Sequence, residues 1–188
     1  MPKVTIDGIE MEVPAGTTIL QAALSRGREI PHYCYHPGLS IAGNCRMCLV
    51  EVEKQWKLQI SCQTVAMEGM VVHTKSEKVV RAQKAVMEFL LENHPLDCPV
   101  CDQAGECGLQ DYSVEHGLDS THMVDARRTY PGYERRLIGP RVVQNQNRCI
   151  HCTRCIRFTT EIAETGDLTM KTRGNHSYID TFDGRPFD

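Results

Sequence analysis

PHYCYHPGLSIAGNCRMCLVEVEK, residues 31–54, decides how the front of this chain is read. Cys34 and Cys45 stand with ten residues between them, Cys45 and Cys48 with two, and Cys48 and Cys62 with thirteen. Plant-type [2Fe–2S] ferredoxins space their ligands C-x4-C-x2-C and add a distant fourth cysteine. The middle pair matches that pattern, and the first interval is longer by six residues. Ala42, Gly43 and Asn44 precede Cys45, and small residues let backbone approach an inorganic cluster closely. N–H groups aimed at the sulfides stabilise the extra electron of the reduced state. Arg46, between two of these cysteines, can offset the negative charge. Zinc also takes four thiolates at CxxC spacing, and buried inert thiols are a third reading.

The flanking sequence predicts a small mixed sheet wrapped on one helix. Val4 and Ile6 alternate with polar residues up to Asp7-Gly8, a hairpin signal, and Met11 and Val13 alternate beyond it. Thr18 and Gln21 have capping-box spacing and open a short helix holding Ala22, Ala23 and Leu24, with Gly27 as its stop. Residues 48–53 and 69–74 read as strands, and Trp56 as a packing or turn residue. Thr74 and Glu77 form a second capping-box pair, after which Val79, Ala82, Val86, Phe89 and Leu90 recur at helical spacing. That helix should end near Asn93, because Pro95 biases the preceding residue out of helical angles. The chain then reads as loop-rich. Residues 117–147 read as an irregular, solvated surface connection, 155–163 as the start of a helix, and 175–188 as a weak strand.

Two further ligand-type groups follow. HPLDCPVCDQAGECGLQDY, residues 94–112, spaces His94, Cys98, Cys101 and Cys107 as H-x3-C-x2-C-x5-C. Pro95, Pro99, Gly105 and Gly108 supply rigid turns that can aim these side chains at one point. An imidazole in place of a thiolate makes a cluster one charge less negative and raises its potential, as in Rieske centres. A Cys3His zinc site is the competitor. RCIHCTRCIRFTT, residues 148–160, sets Cys149, Cys152 and Cys155 three apart, as at the head of a bacterial iron–sulfur run. The fourth position of that run is Thr159, and no cysteine follows it up to Asp188. His151 is held between Cys149 and Cys152, which constrains its direction. Arg148, Arg154 and Arg157 read as charge balance or partner contacts, and His32 and His36 as packing residues more than cluster neighbours.

Composition narrows the function. The 188 residues carry a formal net charge of −3, which makes no electrostatic case for nucleic acid. No apolar run approaches the roughly 18 residues of a membrane span, and the N-terminus lacks a signal-peptide core. Ten cysteines without an export signal favour metal over a disulfide framework. No GxGxxG follows a predicted strand, so hydride chemistry belongs on a partner.

The segments 31–54, 92–112 and 147–158 closely resemble, in order, the N-terminal part of the large iron–sulfur subunit of respiratory complex I, the proton-pumping NADH:quinone oxidoreductase. The resemblance implies an α+β architecture. Residues 1–77 would form a β-grasp [2Fe–2S] ferredoxin-like domain on Cys34, Cys45, Cys48 and Cys62. Residues 78–117 would add a helix and a [4Fe–4S] segment on His94, Cys98, Cys101 and Cys107. Residues 118–188 would hold a second [4Fe–4S] segment on Cys149, Cys152 and Cys155, with the family's last cysteine lying downstream. It further implies single-electron transfer from a flavin- and NADH-binding subunit toward quinone, among other hydrophilic-arm subunits. There would be no nucleic-acid partner and no direct membrane insertion, the complex holding the chain at the cytoplasmic side of a bacterial inner membrane. Two other readings stay open: the diaphorase-side subunit of an NAD-reducing or iron-only hydrogenase, and a zinc-stapled interaction scaffold.

Overall fold

The reason the first two strands pair lies in the turn between them. In the structure, a computed structural model describing residues 1–187, Asp7 and Gly8 both take positive φ, 48° and 80°, as a type I′ turn requires. Strands β1 (Lys3–Ile6) and β2 (Ile9–Glu12) therefore run antiparallel with Val4 opposite Met11. The Asp7 carboxylate also accepts hydrogen bonds from the Thr74 N–H at 2.8 Å and the Thr74 hydroxyl at 2.6 Å. It thus ties the turn to the residue that follows the last strand of the sheet.

The chain divides into two compact units that interleave along the sequence: residues 1–33, 43–89 and 105–121, and residues 34–42, 90–104 and 122–187 of those described. The first holds helix α1 (Ile19–Leu24) and strands β3 (Leu49–Val52), β4 (Gln59–Ile60) and β5 (Met70–His73). Its sheet runs β2-β1-β5-β3-β4, with β1 parallel to β5 and the other pairs antiparallel. Alternate residues Val4, Ile6, Val50, Val52 and Val72 point into one buried face, with Ile19, Leu20, Ala22 and Ala23 of α1 also buried. Burial of each large aliphatic chain contributes about 1.5–3 kcal/mol, enough to pin the register of these short strands. The expected capping box of α1 is present: Gln21 N–H donates to Thr18 Oγ1 at 3.3 Å, and the Thr18 N–H donates to Gln21 Oε1 at 3.0 Å. Leu20 N–H reaches the Ser61 carbonyl at 3.0 Å and Ile19 N–H the Thr64 carbonyl at 2.9 Å, which seats Cys62 beside the helix start.

Helix α2 (Glu77–Glu92) begins as expected within a few residues, but its cap differs. Thr74 is committed to Asp7, so Ser76 caps instead: its hydroxyl accepts from Val79 N–H at 3.3 Å and its carbonyl from Val80 N–H at 2.9 Å. The buried stripe is Val79, Gln83 and Met87, one residue per turn. Phe89, expected on that stripe, is 73% exposed, and Trp56 is 80% exposed in a turn rather than packed. A helix also stands where loop was expected: α3 (Gly108–His116). Only Leu109 of α3 is buried, so it has no apolar stripe for periodicity to reveal.

The second unit holds β6 (Arg136–Leu137), β7 (Val143–Gln144), α4 (Arg154–Glu161), β8 (Leu168–Lys171) and β9 (Tyr178–Thr181). β8 and β9 pair antiparallel over four residues, Leu168 opposite Thr181. Its core is Ile138, Leu168 and Ile179, against which Val142, Cys149, Ile156, Met170 and Phe187 pack. Asp180 is buried there between Arg136 at 2.9 Å and Lys171 at 3.5 Å. Among the described residues no helix is long and apolar enough to cross a membrane.

Candidate iron–sulfur sites

In the first cysteine group, Cys34, Cys48 and Cys62 are at most 1% exposed. Cys48 directly precedes β3 and its carbonyl accepts the Ser61 N–H at 3.0 Å, so the sheet fixes the backbone leading into Cys62. Gly43 and Arg46, flanking Cys45, take left-handed angles with φ of 61° and 62°. Left-handed residues interleaved with ordinary ones turn successive N–H groups into one concavity, the backbone nest found at many iron–sulfur and phosphate sites. A Cβ on Gly43 would stand 3.0 Å from Gln63 Oε1, so glycine serves both the angle and the fit. Cys34 belongs to the second unit, and Cys45, Cys48 and Cys62 to the first. His32 Nδ1 lies 2.7 Å from the Ile30 carbonyl, and His36 Nδ1 accepts the Gly38 N–H at 3.1 Å. Both rings bond to their own local backbone.

His94 of the second group follows the end of α2 and is half-buried. Burial lowers its pKa, the Arg148 and Arg127 charges lower it further, and Asp97 opposes them. The neutral imidazole so favoured is the metal-ligating form. Cys98 opens a single 3₁₀ turn, Cys98–Val100, with Pro99 in its first positions, and Cys101 N–H closes back on the Cys98 carbonyl at 3.1 Å. Asp97, immediately before Cys98, accepts from Arg148 Nη2 at 2.6 Å and Nε at 3.2 Å. Cys107, in the first unit, occupies the cap position of α3 but makes no side-chain cap bond, which leaves its thiol clear of capping. Tyr33, also in the first unit, donates to the Met87 sulfur at 3.4 Å and the Gly108 carbonyl at 3.3 Å. Burial raises its pKa, with Tyr112, Cys107 and Cys45 adding to the effect.

The third group lies wholly within the second unit. His151 and Thr153 are left-handed, with φ of 54° and 60°, and the His151 N–H points at Cys149 Sγ at 3.4 Å. Helix α4 begins at Arg154 and carries Cys155 in its first turn. Burial pushes the Cys149 thiol up to about 11 and also raises Cys155, so neither holds a bare thiolate at neutral pH; a bound cationic centre would reverse that balance. The His151 ring lies with its Nε2 3.0 Å from the Ser177 carbonyl. Thr159 stands at the fourth position of the cysteine run. Its side chain is buried and its hydroxyl donates to the Ile156 carbonyl at 2.9 Å. Its own carbonyl accepts from Thr165 at 2.8 Å and Gly166 at 3.0 Å, so this residue closes the end of α4. Beside Cys155 lies an apolar groove of 530 Å3 lined by Leu39, Phe158, Ile162, Leu168 and Phe187.

Cys98, Cys101, Cys107, Cys149, Cys152 and Cys155 stand outside any disulfide. Among the described residues no group of three or more His, Cys, Asp or Glu is placed to hold a metal ion. The donor chemistry fits iron–sulfur clusters: thiols at cluster spacing, left-handed residues within each of the three groups, and an amide already bonded to a ligand-type sulfur. Sequence reasoning missed Asp97 and Tyr33. Neither occupies a motif position, and only the fold brings their partners to them.

Comparison with known proteins agrees. Residues 2–77 match the 2Fe-2S iron-sulfur cluster binding domain family, residues 83–122 the NADH-ubiquinone oxidoreductase-G iron-sulfur binding region, and residues 139–188 the ferredoxin-like domain of NADH-quinone oxidoreductase subunit 3. The chain is thus an iron–sulfur protein of mixed α/β structure, carrying 2Fe-2S and 4Fe-4S binding domains. The mitochondrial NADH-ubiquinone oxidoreductase 78 kDa subunit of Candida albicans is 50% identical over 96% of this chain and 25% of its own length. The 75 kDa subunit of Reclinomonas americana is 50% identical over 100% and 27%, and the corresponding NADH-quinone oxidoreductase chain of Rickettsia bellii 48% over 97% and 26%. The chain belongs to this family, the 75/78 kDa iron–sulfur subunits of NADH-quinone oxidoreductase, and matches its N-terminal region. It spans about a quarter of the length of these relatives. A solved NAD+-reducing [NiFe]-hydrogenase in the H2-reduced state contains a similar chain: TM-score 0.83 and 34% identity, covering 95% of this chain and 74% of that one.

Proposed function

We propose that this chain relays single electrons inside an NADH-quinone oxidoreductase of the complex I type, from a flavin- and NADH-binding subunit toward quinone. The observation that carries the reading is 48–50% identity to complex I subunits over at least 96% of the chain. Cys34, Cys45, Cys48 and Cys62 would hold a [2Fe–2S] cluster. His94, Cys98, Cys101 and Cys107 would hold a [4Fe–4S] cluster, and Cys149, Cys152 and Cys155 another, its fourth ligand supplied from outside residues 1–188. When bound, such clusters accept and release one electron at a time. The chain's own part is ligation, hydrogen bonding and burial, which tune potential and exclude water. The left-handed turns at Gly43, Arg46, His151 and Thr153 would aim amide donors at the sulfurs.

Residues 1–77 act as a β-grasp ferredoxin domain in this reading, supported by a mixed five-stranded sheet with a parallel β1–β5 pair. Residues 78–117 and 118–188 are then the two [4Fe–4S] segments. The chain works among other hydrophilic-arm subunits, peripheral on the cytoplasmic face of a bacterial inner membrane. A second reading, a subunit of an NAD-reducing hydrogenase, is favoured by the structural likeness at 34% identity, below the identity to complex I subunits. Purification of the full-length protein with its native partners tests both. Expected are about ten irons per chain with matching sulfide, paramagnetic signals of both cluster types on NADH reduction, and electron flow to quinone. Hydrogen oxidation in place of quinone reduction supports the second reading, and colourless zinc-loaded protein sinks both.

A further inference from the structure

Arg157 is one of the few charged side chains buried in the second unit, at 9% exposure. It leaves α4 two residues after Cys155, and its hydrogen bonds go to uncharged oxygens. One nitrogen, Nη2, donates to the Cys34 carbonyl at 2.5 Å and to the Cys152 carbonyl at 3.3 Å. Nη1 donates to the Ser40 carbonyl, and Nε to Thr153 Oγ1 at 3.4 Å. Arg154, one turn back, donates to the Tyr35 carbonyl at 2.6 Å. A single guanidinium nitrogen therefore touches the backbone of a residue from the first cysteine group and of one from the third. Those residues lie more than a hundred positions apart in sequence.

Burying an ionised guanidinium costs several kcal/mol unless charge or dipoles compensate it. Carbonyl dipoles do part of this. Glu161, one turn on, feels the Arg157 charge, but its carboxylate is exposed and is bonded to the Ser40 N–H at 2.8 Å and to the Ser40 hydroxyl. Thiolate-ligated clusters are net anions and become more so on reduction. A buried cation beside the ligand backbones of two of them favours the reduced form of both.

We propose that Arg157 is a positioning residue shared by two iron–sulfur sites, clamping the Cys34 and Cys152 backbones to one guanidinium and raising the reduction potentials of both clusters with its buried charge. The proposal rests on the cluster assignment above. Its test is a redox titration of the full-length protein in its complex, followed by paramagnetic resonance, for wild type, Arg157→Met and Arg157→Lys. Expected for Arg157→Met is reduction about tenfold less favourable at the first and third sites together, about 59 mV for a one-electron couple. The second cluster, to whose ligands no described hydrogen bond of Arg157 runs, serves as internal reference and stays put. If Arg157→Met loses a cluster, Arg157→Lys decides: it keeps the charge without the planar fork, so both signals broaden and both potentials fall by a smaller common amount. Unmoved potentials at the first and third sites, or an equal shift at all three, would overturn the proposal and leave Arg157 a clip between loop and helix. Absence of clusters from the wild type is a different failure, that of the assignment itself.

Discussion

Breaking the Asp97–Arg148 pair should loosen two ligand segments at once. Asp97 directly precedes Cys98, and Arg148 directly precedes Cys149. Two guanidinium nitrogens, at 2.6 and 3.2 Å, share one carboxylate oxygen. A hydrogen bond to a charged group contributes about 1.5–3 kcal/mol. The side chains are 24% and 33% exposed, so solvent screening moves the figure toward the surface range, and about 1–1.5 kcal/mol remains. Arg148→Met, Asp97→Ala and the double variant form a thermodynamic cycle on the full-length protein. The expected coupling is about 1 kcal/mol, with each single variant losing iron to a chelator up to about tenfold faster from the second and third sites. The first site, none of whose ligands touches this pair among the described hydrogen bonds, releases iron at the wild-type rate. Additivity within about 0.3 kcal/mol, together with unchanged release from the second and third sites, would refute the reasoning.

Three further outcomes follow from particular contacts. Thr159→Cys adds no ligand, because position 159 is buried at the end of α4 with its hydroxyl on the Ile156 carbonyl; iron content should not rise, and a newly stable four-iron signal would contradict this. Ser76→Ala should cost about 1 kcal/mol of stability by removing the cap of α2, whereas Thr74→Val acts through the lost hydroxyl bond to Asp7 and leaves the helix start intact, which amide exchange at Val79 and Val80 distinguishes. Burial alone would raise the pKa of Asp180, but the Arg136 hydrogen bond, the Thr181 N–H and the charges of Arg136 and Lys171 outweigh it and hold the carboxyl below the usual range. A depressed folded pKa means the stabilisation is complete above the ordinary aspartate value of about 3.9 and is lost as pH falls below it. The Tm gap between wild type and Asp180→Asn should therefore shrink from about pH 5 downward, and a gap independent of pH would count against the pair.

The candidate donor sets come from spacing alone. Cys34-x10-Cys45-x2-Cys48, His94-x3-Cys98 and the Cys149 run are local patterns, and their spacing points to iron–sulfur or zinc chemistry. The Asp7-Gly8 hairpin and the Thr18–Gln21 capping box were legible for the same reason, since their bonds close within a few residues. What depends on distant partners was not legible. Thr74 reads as a helix cap until the fold brings Asp7 to its hydroxyl from 67 residues away. α3 lacks an apolar stripe, and Phe89 sits at helical spacing yet faces solvent. Thr159 occupies the fourth position of the cysteine run in sequence, and only the fold shows its carbonyl closing the end of α4. The largest such decision concerns Arg157, which a linear reading takes only as charge balance or a partner contact. Only tertiary structure buries its guanidinium and lays it against the backbones of Cys34 and Cys152, because long-range packing, unlike ligand spacing, is written nowhere in a local stretch of sequence.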